Sequence, residues 1–221
     1  MRESIRDFVR AVSESIPILE PIYEFGSFQV DGQEAIADLR PLFPGKKYIG
    51  CDMRSGKGVD LLLNLHDIDL PDSTAGTVLA LDTLEHVEFC RRAMSEVYRI
   101  LKPGGVAIIS SVMYFPIHEY PSDYWRFTPE GFRSLLNQFS YSTVDFLGKE
   151  DSPHTVVGIG IKEKDVSTAE AQRISSKIND WKISVTQLEM GNPSPTKEFL
   201  KLFIPPIFLQ AYRKLNNGRY S

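Results

Sequence analysis

Apolar runs of strand length alternate with helical or turn segments along the first 165 residues. Such runs predict strands at about 17–25, 47–51, 59–65, 77–81 and 106–112. Strands that alternate with helices are typical of a parallel sheet with helices on both faces and right-handed crossovers. Two more runs, at about 141–147 and 154–161, are joined by a polar loop and predict an antiparallel edge hairpin. We therefore predict an α/β, Rossmann-like, doubly wound, mostly parallel sheet of about seven strands.

Helical patterns fill the remaining segments and set the predicted domain boundary. They predict helices at about 1–15, 32–42, 87–101, 129–139 and 168–190. The third should be closed by Pro103-Gly104-Gly105, and the fourth should begin at Thr128 as its N-cap. Because the composition changes at about residue 166, we predict one domain over 1–165 and a helical C-terminal extension over 166–221.

The segment 198–215 within this extension is apolar on several sides and is interrupted by Pro205-Pro206. A helix of that kind is too apolar to stand in solvent alone. We expect it to pack on the domain or to form a homodimer contact. The alternative is a peripheral membrane contact, since Lys197, Lys201 and Arg213 lie near it.

Composition and charge narrow the functional class. The chain is 42% hydrophobic and carries a formal net charge of −4, which excludes wholesale disorder and makes a nucleic-acid partner a poor expectation. The two cysteines have no CxxC spacing, and the four histidines have no ligand spacing, so we expect no metal site. Neither a signal peptide nor a membrane span is recognisable, so the expected location is the cytoplasm, including the inner face of the membrane.

Acidic residues follow the predicted strands, where ligands of open parallel sheets bind. Glu24 precedes Gly26 at the end of the first strand, and Asp52, Asp67 and Asp82 end the next three. A ligand with ribose hydroxyls, an amino group and an adenine amine would use such carboxylates. Ser27-Phe28-Gln29 follows Gly26, so the G-x-G-x-x-G pattern of a dinucleotide site is absent.

Two stretches at the fourth strand and the next helix carry a family resemblance. Leu81-Asp82-Thr83-Leu84-Glu85-His86-Val87, followed by Tyr98-Arg99-Ile100-Leu101-Lys102-Pro103-Gly104-Gly105, resembles the class I S-adenosylmethionine-dependent methyltransferases, in particular the type 11 branch. The resemblance spans about residues 17–162. It implies an enzyme that uses S-adenosylmethionine and transfers its methyl group.

The resemblance also implies a set of cofactor-binding residues. Glu24, Gly26 and Ser27 would hold the methionine part, and Asp52 with Met53 the ribose. Asp67 and the backbone of Ile68 would meet the adenine, and Asp82 with Thr83 the methionine amino group. Family members usually have one or two further glycines after Gly26, so the loop geometry of this chain is expected to differ.

An aromatic segment after the fifth strand is the expected substrate region. Residues 116–129 are similar to a stretch in bacterial methyltransferases that accompany glycan or cell-envelope biosynthesis genes. Predicted substrate-binding residues are Tyr114, His118, Tyr120, Tyr124, Trp125 and Arg126. A hydroxyl acceptor needs a base, and His86 and His118 are the catalytic candidates.

The sequence is compatible with three functions. The first is methyl transfer to a small-molecule or glycan acceptor, with a hydroxyl as the expected nucleophile. The second is a non-catalytic, cofactor-binding subunit that supports a partner enzyme, which the altered loop after Gly26 suggests. The third is a nicotinamide-dependent oxidoreductase, which shares the sheet but needs the missing glycines.

Overall fold

The computed structural model describes residues 2–118 and 122–191. Its seven strands are β1 (Ile22–Phe25), β2 (Tyr48–Asp52), β3 (Leu61–Leu62), β4 (Ala75–Leu81), β5 (Leu101–Val112), β6 (Tyr141–Lys149) and β7 (Ser152–Ile161). Its α-helices are α1 (Glu3–Ser15), α2 (Glu34–Ala37), α3 (Cys90–Ile100), α4 (Pro129–Leu135) and α5 (Thr168–Gly191), with 3-10 turns at Arg40–Leu42 and Leu84–His86.

The strands form one sheet in the order β3-β2-β1-β4-β5-β7-β6. The first five in that order run parallel, whereas β7 pairs antiparallel with both β5 and β6. The strand order reverses between β1 and β4, which makes their carboxyl ends the topological switch point. The predicted doubly wound, Rossmann-like sheet with an antiparallel edge hairpin is confirmed.

Alternation along the buried strands sends side chains to two separate cores. Tyr23 and Phe25 face the core that α3 and α4 cover, whereas Ile22 faces the core beneath α1 and α5. Helix α5 opens the predicted C-terminal extension and lies against α1. The Phe8 and Trp181 ring centres are 5.0 Å apart, and the Trp181 indole N–H donates to the Ser4 carbonyl at 2.8 Å.

Several predicted element boundaries are wrong. The helix predicted over 32–42 is only α2 and a 3-10 turn, and the third strand shrinks to two residues. The helix predicted over 87–101 ends at Ile100, and Pro103-Gly104-Gly105 lies inside β5 instead of closing it. A register shift in the β4–β5 pairing absorbs these residues, so they make an irregularity in a strand. Thr128 is confirmed as the N-cap of α4, since its hydroxyl accepts from the Gly131 N–H.

The segment 198–215, with its predicted packing, dimer or membrane contacts, lies outside the described residues. Within 2–118 and 122–191, no helix has the length and apolar character needed to cross a membrane.

Candidate functional site

Gly26 turns the chain out of the sheet at the end of β1. Its φ is +85°, a left-handed conformation that favours glycine. The N–H groups of Gly26 and Ser27 both donate to the Cys51 carbonyl, at 2.9 and 3.1 Å. A Cβ at Gly26 would collide with the Thr83 hydroxyl, which itself lies 3.0 Å from the Leu81 carbonyl oxygen. The chain segments that leave β1 and β4 therefore touch at the switch point.

The loop after Gly26 is held by the loop after β2. The Arg54 guanidinium lies over the Phe28 ring, 4.5 Å from its centre, and the Gln29 N–H donates to the Lys57 carbonyl at 2.9 Å. The Ser27 hydroxyl is buried, and no described residue bonds to it. At the positions where the resembled family has glycines, Phe28 packs against Arg54 of the loop after β2, and the Ser27 hydroxyl is buried at the base of the loop.

Asp52 and Met53 lie at the end of β2. The Asp52 side chain is almost buried, and its Oδ1 accepts from the Arg54 backbone N–H at 2.9 Å and from the Arg54 Nε at 3.2 Å. This turn fixes the direction of the carboxylate at the sheet edge. Met53, the next residue, is 62% exposed, so its side chain is accessible at this edge.

Asp67 and Ile68 lie further along the same edge, in the loop after β3. Asp67 is exposed, whereas the Ile68 side chain is buried. The Ile68 N–H donates to a carboxylate oxygen of Glu96 at 2.9 Å. For the adenine contact implied by the resemblance, that hydrogen bond would have to be exchanged, whereas the Asp67 carboxylate is accessible.

Asp82 follows β4 and is paired with Arg2. It has a φ of +47°, which is uncommon for a non-glycine residue and is typical of functional sites. The Arg2 guanidinium donates to both Asp82 oxygens, at 2.9 and 3.3 Å, and also contacts the Thr155 hydroxyl. Burial raises the pKa of Asp82, but the charge and hydrogen bonds of Arg2 outweigh it and lower that pKa.

Arg2 is a residue of this site that the sequence does not indicate. It stands just before α1, 80 positions from Asp82, and no motif connects the two. Only the packing of α1 on the sheet brings its guanidinium to the end of β4.

Glu85, His86 and His118 form a second group beside Asp82. Glu85 is 1% exposed, and its Oε2 accepts from the Ser111 hydroxyl at 2.7 Å, while no described residue bonds to its Oε1. Burial and the neighbouring Asp82 charge raise the pKa of Glu85 to about 8. The ring centres of His86 and His118 are 4.8 Å apart, and burial lowers the pKa of His86. The two histidines predicted to be catalytic are thus neighbours, joined by a glutamate that was not predicted.

The aromatic segment lies over this group. The backbone N–H groups of Tyr124 and Trp125 donate to the Glu85 carbonyl, at 2.8 and 3.2 Å. The Trp125 indole N–H donates to the Val87 carbonyl at 3.0 Å. Tyr124 and Trp125 still expose 46% of their surface, and Tyr114 exposes 75%. Of the predicted substrate residues, Tyr114, Tyr124 and Trp125 are therefore exposed, His118 and Arg126 are partly buried, and Tyr120 lies outside the described residues.

Arg126, a predicted substrate contact, forms an ion pair with Asp123. Its guanidinium bonds the Asp123 carboxylate at 2.5 and 2.7 Å and also donates to the carbonyls of Phe115 and Pro116. Burial raises the pKa of Asp123, but the Arg126 and His118 N–H bonds outweigh it and lower that pKa to about 2. Arg126 thus links Phe115 and Pro116 to Asp123 within the predicted substrate segment.

Glu24 is buried within β1, behind the open edge. Its Oε2 accepts from the Tyr48 hydroxyl at 2.7 Å, and it is 6% exposed. Burial raises the pKa of Glu24 to about 7, against the opposing effect of the Tyr48 hydrogen bond. The neutral form of Glu24 therefore predominates in the folded protein below about pH 7.

This raised pKa predicts a stability change with pH. The pKa of Glu24 is higher in the folded than in the unfolded protein. Its contribution to stability is therefore fully present below the unfolded pKa and is lost as the pH rises through about 7. Glu24→Gln should gain up to about 3 kcal/mol of unfolding free energy relative to the parent between pH 5 and 8. Urea unfolding at several pH values measures this difference. The exposed Glu150→Gln variant is the control, and an unchanged Glu24→Gln difference across that range would contradict the assignment.

The donors and acceptors at this edge match one kind of ligand. The exposed Asp67 suits an adenine amine, and Asp52 suits a ribose diol. The Arg2–Asp82 pair offers one cation and one anion for the two charged groups of an amino acid. The turn at Gly26 packs directly against Thr83 and has no space for a side chain. These groups fit S-adenosylmethionine.

Comparisons with known proteins agree with this fit. The "Methyltransferase domain" family is matched by residues 42–109. Solved structures of the same fold include an S-adenosylmethionine-dependent methyltransferase from Thermotoga maritima, with 23% identity, coverage of 72% of this chain and 89% of that chain, and a TM-score of 0.52. Another, from Archaeoglobus fulgidus, has 16% identity, coverage of 71% of this chain and 94% of that chain, and a TM-score of 0.53. Another comes from the complex between the Haloferax volcanii Trm112 methyltransferase activator and a methyltransferase (15%, 75% and 92%, 0.54). No curated protein sequence matches the chain.

The predicted resemblance to the class I methyltransferases is confirmed. The structural neighbours show the fold, and the family match over residues 42–109 adds the activity. The matched domain and the fold together indicate an S-adenosylmethionine-dependent methyltransferase that uses S-adenosylmethionine as its cofactor.

Proposed function

We propose that this enzyme methylates a hydroxyl of a small molecule or glycan, with its cofactor at the carboxyl ends of β1, β2 and β4. The observation that carries the proposal is the convergence at one sheet edge of Asp52, the Arg2–Asp82 pair and the Glu85–His86–His118 group. The first two match the cofactor. The third supplies basic groups beside it, which a hydroxyl acceptor needs.

The cofactor contacts divide along the edge. Gly26 and Ser27 would meet the methionine end, where the buried Ser27 hydroxyl would gain a partner, and Glu24 would support them from within β1. Asp52 and Met53 meet the ribose and one face of the adenine. Asp67 and the Ile68 backbone meet the adenine edge, and Asp82 with Thr83 meets the methionine amino group.

Arg2 binds the methionine carboxylate in this arrangement. Its guanidinium is held by Asp82 at the place where the amino acid end of the cofactor lies, and guanidinium pairs well with carboxylate. Asp82 then accepts a hydrogen bond from the ammonium of the methionine part, so Arg2 pairs with the carboxylate of the cofactor and Asp82 with its ammonium.

Arg2→Ala is therefore expected to weaken S-adenosylmethionine binding by roughly tenfold to hundredfold, the effect of losing a charged hydrogen bond. Calorimetric titration measures the loss. Decarboxylated S-adenosylmethionine is the matched ligand control, because it lacks the group that Arg2 binds and should lose little affinity. Equal losses for both ligands, or tighter binding by the variant, would contradict this role.

The chemistry asks little of the protein beyond placement. The cofactor supplies a methyl group on a sulfonium, and the carbon–sulfur bond breaks as the carbon–oxygen bond to the acceptor forms. The protein aligns the two reactants and excludes water. His86 and His118 are placed to take the proton of the acceptor hydroxyl. Burial lowers the pKa of His86 and so keeps that side chain neutral and able to accept a proton.

The aromatic surface supports a ring-shaped acceptor. Tyr114, Tyr124 and Trp125 present large exposed faces next to the histidines. Aromatic faces pack well on the apolar faces of sugar rings, while the tyrosine hydroxyls offer polar contacts.

A methyl-transfer assay with labelled S-adenosylmethionine and a panel of sugars, nucleotide sugars and small alcohols tests the acceptor. Label is expected in an O-methylated product, and Tyr124→Ala with Trp125→Ala should raise the KM for the acceptor. Transfer only to nitrogen or carbon acceptors would overturn the hydroxyl assignment. Cofactor binding without transfer to any acceptor would favour the non-catalytic subunit.

A further inference from the structure

Three potential metal ligands converge beside β4. One ligand atom from each of Glu85, His86 and His118 lies within 4.8 Å of the other two. Glu85 and His86 come from the 3-10 turn after β4, and His118 comes from the segment after β5. The sequence spacing does not predict this set, because the third ligand arrives from a different loop.

Hydrogen bonds orient both imidazoles in the way a metal site requires. The His86 Nδ1 lies 2.6 Å from the Ser122 carbonyl, which can only accept, so Nδ1 carries the proton. The His118 Nδ1 lies 3.3 Å from both the Pro116 carbonyl and the Asp123 carboxylate. In each ring the Nε2 lone pair is left for a ligand. Histidines that bind metals are commonly held through their other nitrogen by carbonyls or carboxylates.

Glu85 provides the third and independent observation. Its carboxylate is 1% exposed, and Ser111 holds only Oε2. No described residue bonds to Oε1. Buried carboxylate oxygens are rarely left without a partner, and such an atom beside two oriented imidazoles calls for a cation.

We propose that Glu85, His86 and His118 bind a divalent transition-metal ion. Two imidazoles and one carboxylate suit Zn²⁺, Fe²⁺, Co²⁺ or Mn²⁺ better than Mg²⁺ or Ca²⁺, which prefer oxygen ligands. Bonds of about 2.0–2.2 Å would draw the three groups together around the ion.

Three protein ligands leave coordination positions open for a substrate oxygen. Resting on the proposed function, the ion would bind the acceptor hydroxyl and lower its pKa, so that the hydroxyl releases its proton to solvent water, and not to a histidine, before methyl transfer. The histidines would then act as ligands of the ion that activates the acceptor.

Co²⁺ is the probe for this site, because its visible spectrum reports coordination. Protein treated with a chelator and then dialysed free of it is titrated with Co²⁺, followed by displacement with Zn²⁺. We expect one Co²⁺ per chain, and His118→Ala and Glu85→Gln should each lower the affinity by roughly tenfold or more. His66→Ala is the matched control, since His66 is part-exposed near the same edge but outside the group. Thermal unfolding checks that each variant is folded.

Loss of Co²⁺ binding in the two group variants, with binding kept in His66→Ala, supports the metal site. No Co²⁺ binding, or equal binding by all four proteins, overturns it. S-adenosylhomocysteine is titrated separately into the metal-free protein. Its binding without Co²⁺ binding overturns only the metal site, whereas Co²⁺ binding without it contradicts the cofactor assignment and leaves the metal site standing.

Discussion

Asp52→Ala is expected to lower the affinity for S-adenosylmethionine by more than hundredfold. The nearly buried carboxylate is directed by Arg54 toward the edge of the sheet, where it would accept from both ribose hydroxyls. Hydrogen bonds to a charged acceptor contribute about 1.5–3 kcal/mol each, and hundredfold corresponds to about 3 kcal/mol. Calorimetric titration with S-adenosylhomocysteine measures the loss without turnover.

The control for this prediction is Asp165→Asn. Asp165 is exposed and follows β7 at the opposite edge of the sheet, so its charge can be removed without touching the site. Asp52→Asn separates charge from shape, and we expect it to bind more tightly than the alanine variant. An affinity for Asp52→Ala within threefold of the parent would remove Asp52 from the cofactor site.

Gly26→Ala should destabilise the fold and abolish cofactor binding together. The residue has a φ of +85°, and an added Cβ would strike the Thr83 hydroxyl. Left-handed backbone at a non-glycine residue costs on the order of 1–3 kcal/mol, and the collision adds to it. Urea unfolding measures the stability, and titration with S-adenosylhomocysteine measures the binding.

A double variant separates the two causes. Gly26→Ala with Thr83→Ala removes the struck atoms and leaves the backbone strain, so it should recover part of the lost stability. If the single variant unfolds at the same urea concentration as the parent, the left-handed turn and the contact with Thr83 do not describe this protein.

The sheet could be predicted because its signals are local. Apolar runs such as Thr77–Leu81 mark buried parallel strands, and the acids after them mark a ligand edge by the general rule for such sheets. The predicted ends of helices and strands are wrong where the same residues are compatible with two kinds of local structure. Pro103-Gly104-Gly105 reads as a helix end, but the same residues also suit an irregular strand.

The charges around the site could not be predicted, because they depend on tertiary contacts. Arg2 reaches Asp82 only through the packing of α1. The Ile68 N–H donates to Glu96, which lies in α3, beyond the next strand along the chain. Glu85 was visible only as part of a motif. Its missing partner, and its closeness to His118, appear when two separate loops are placed together.

The most direct test of the account is a titration of the unmodified protein with S-adenosylmethionine, S-adenosylhomocysteine and NAD. We expect one site per chain that binds both sulfur compounds in the micromolar range and does not bind NAD. Absence of binding by either sulfur compound, or binding of NAD alone, would contradict it.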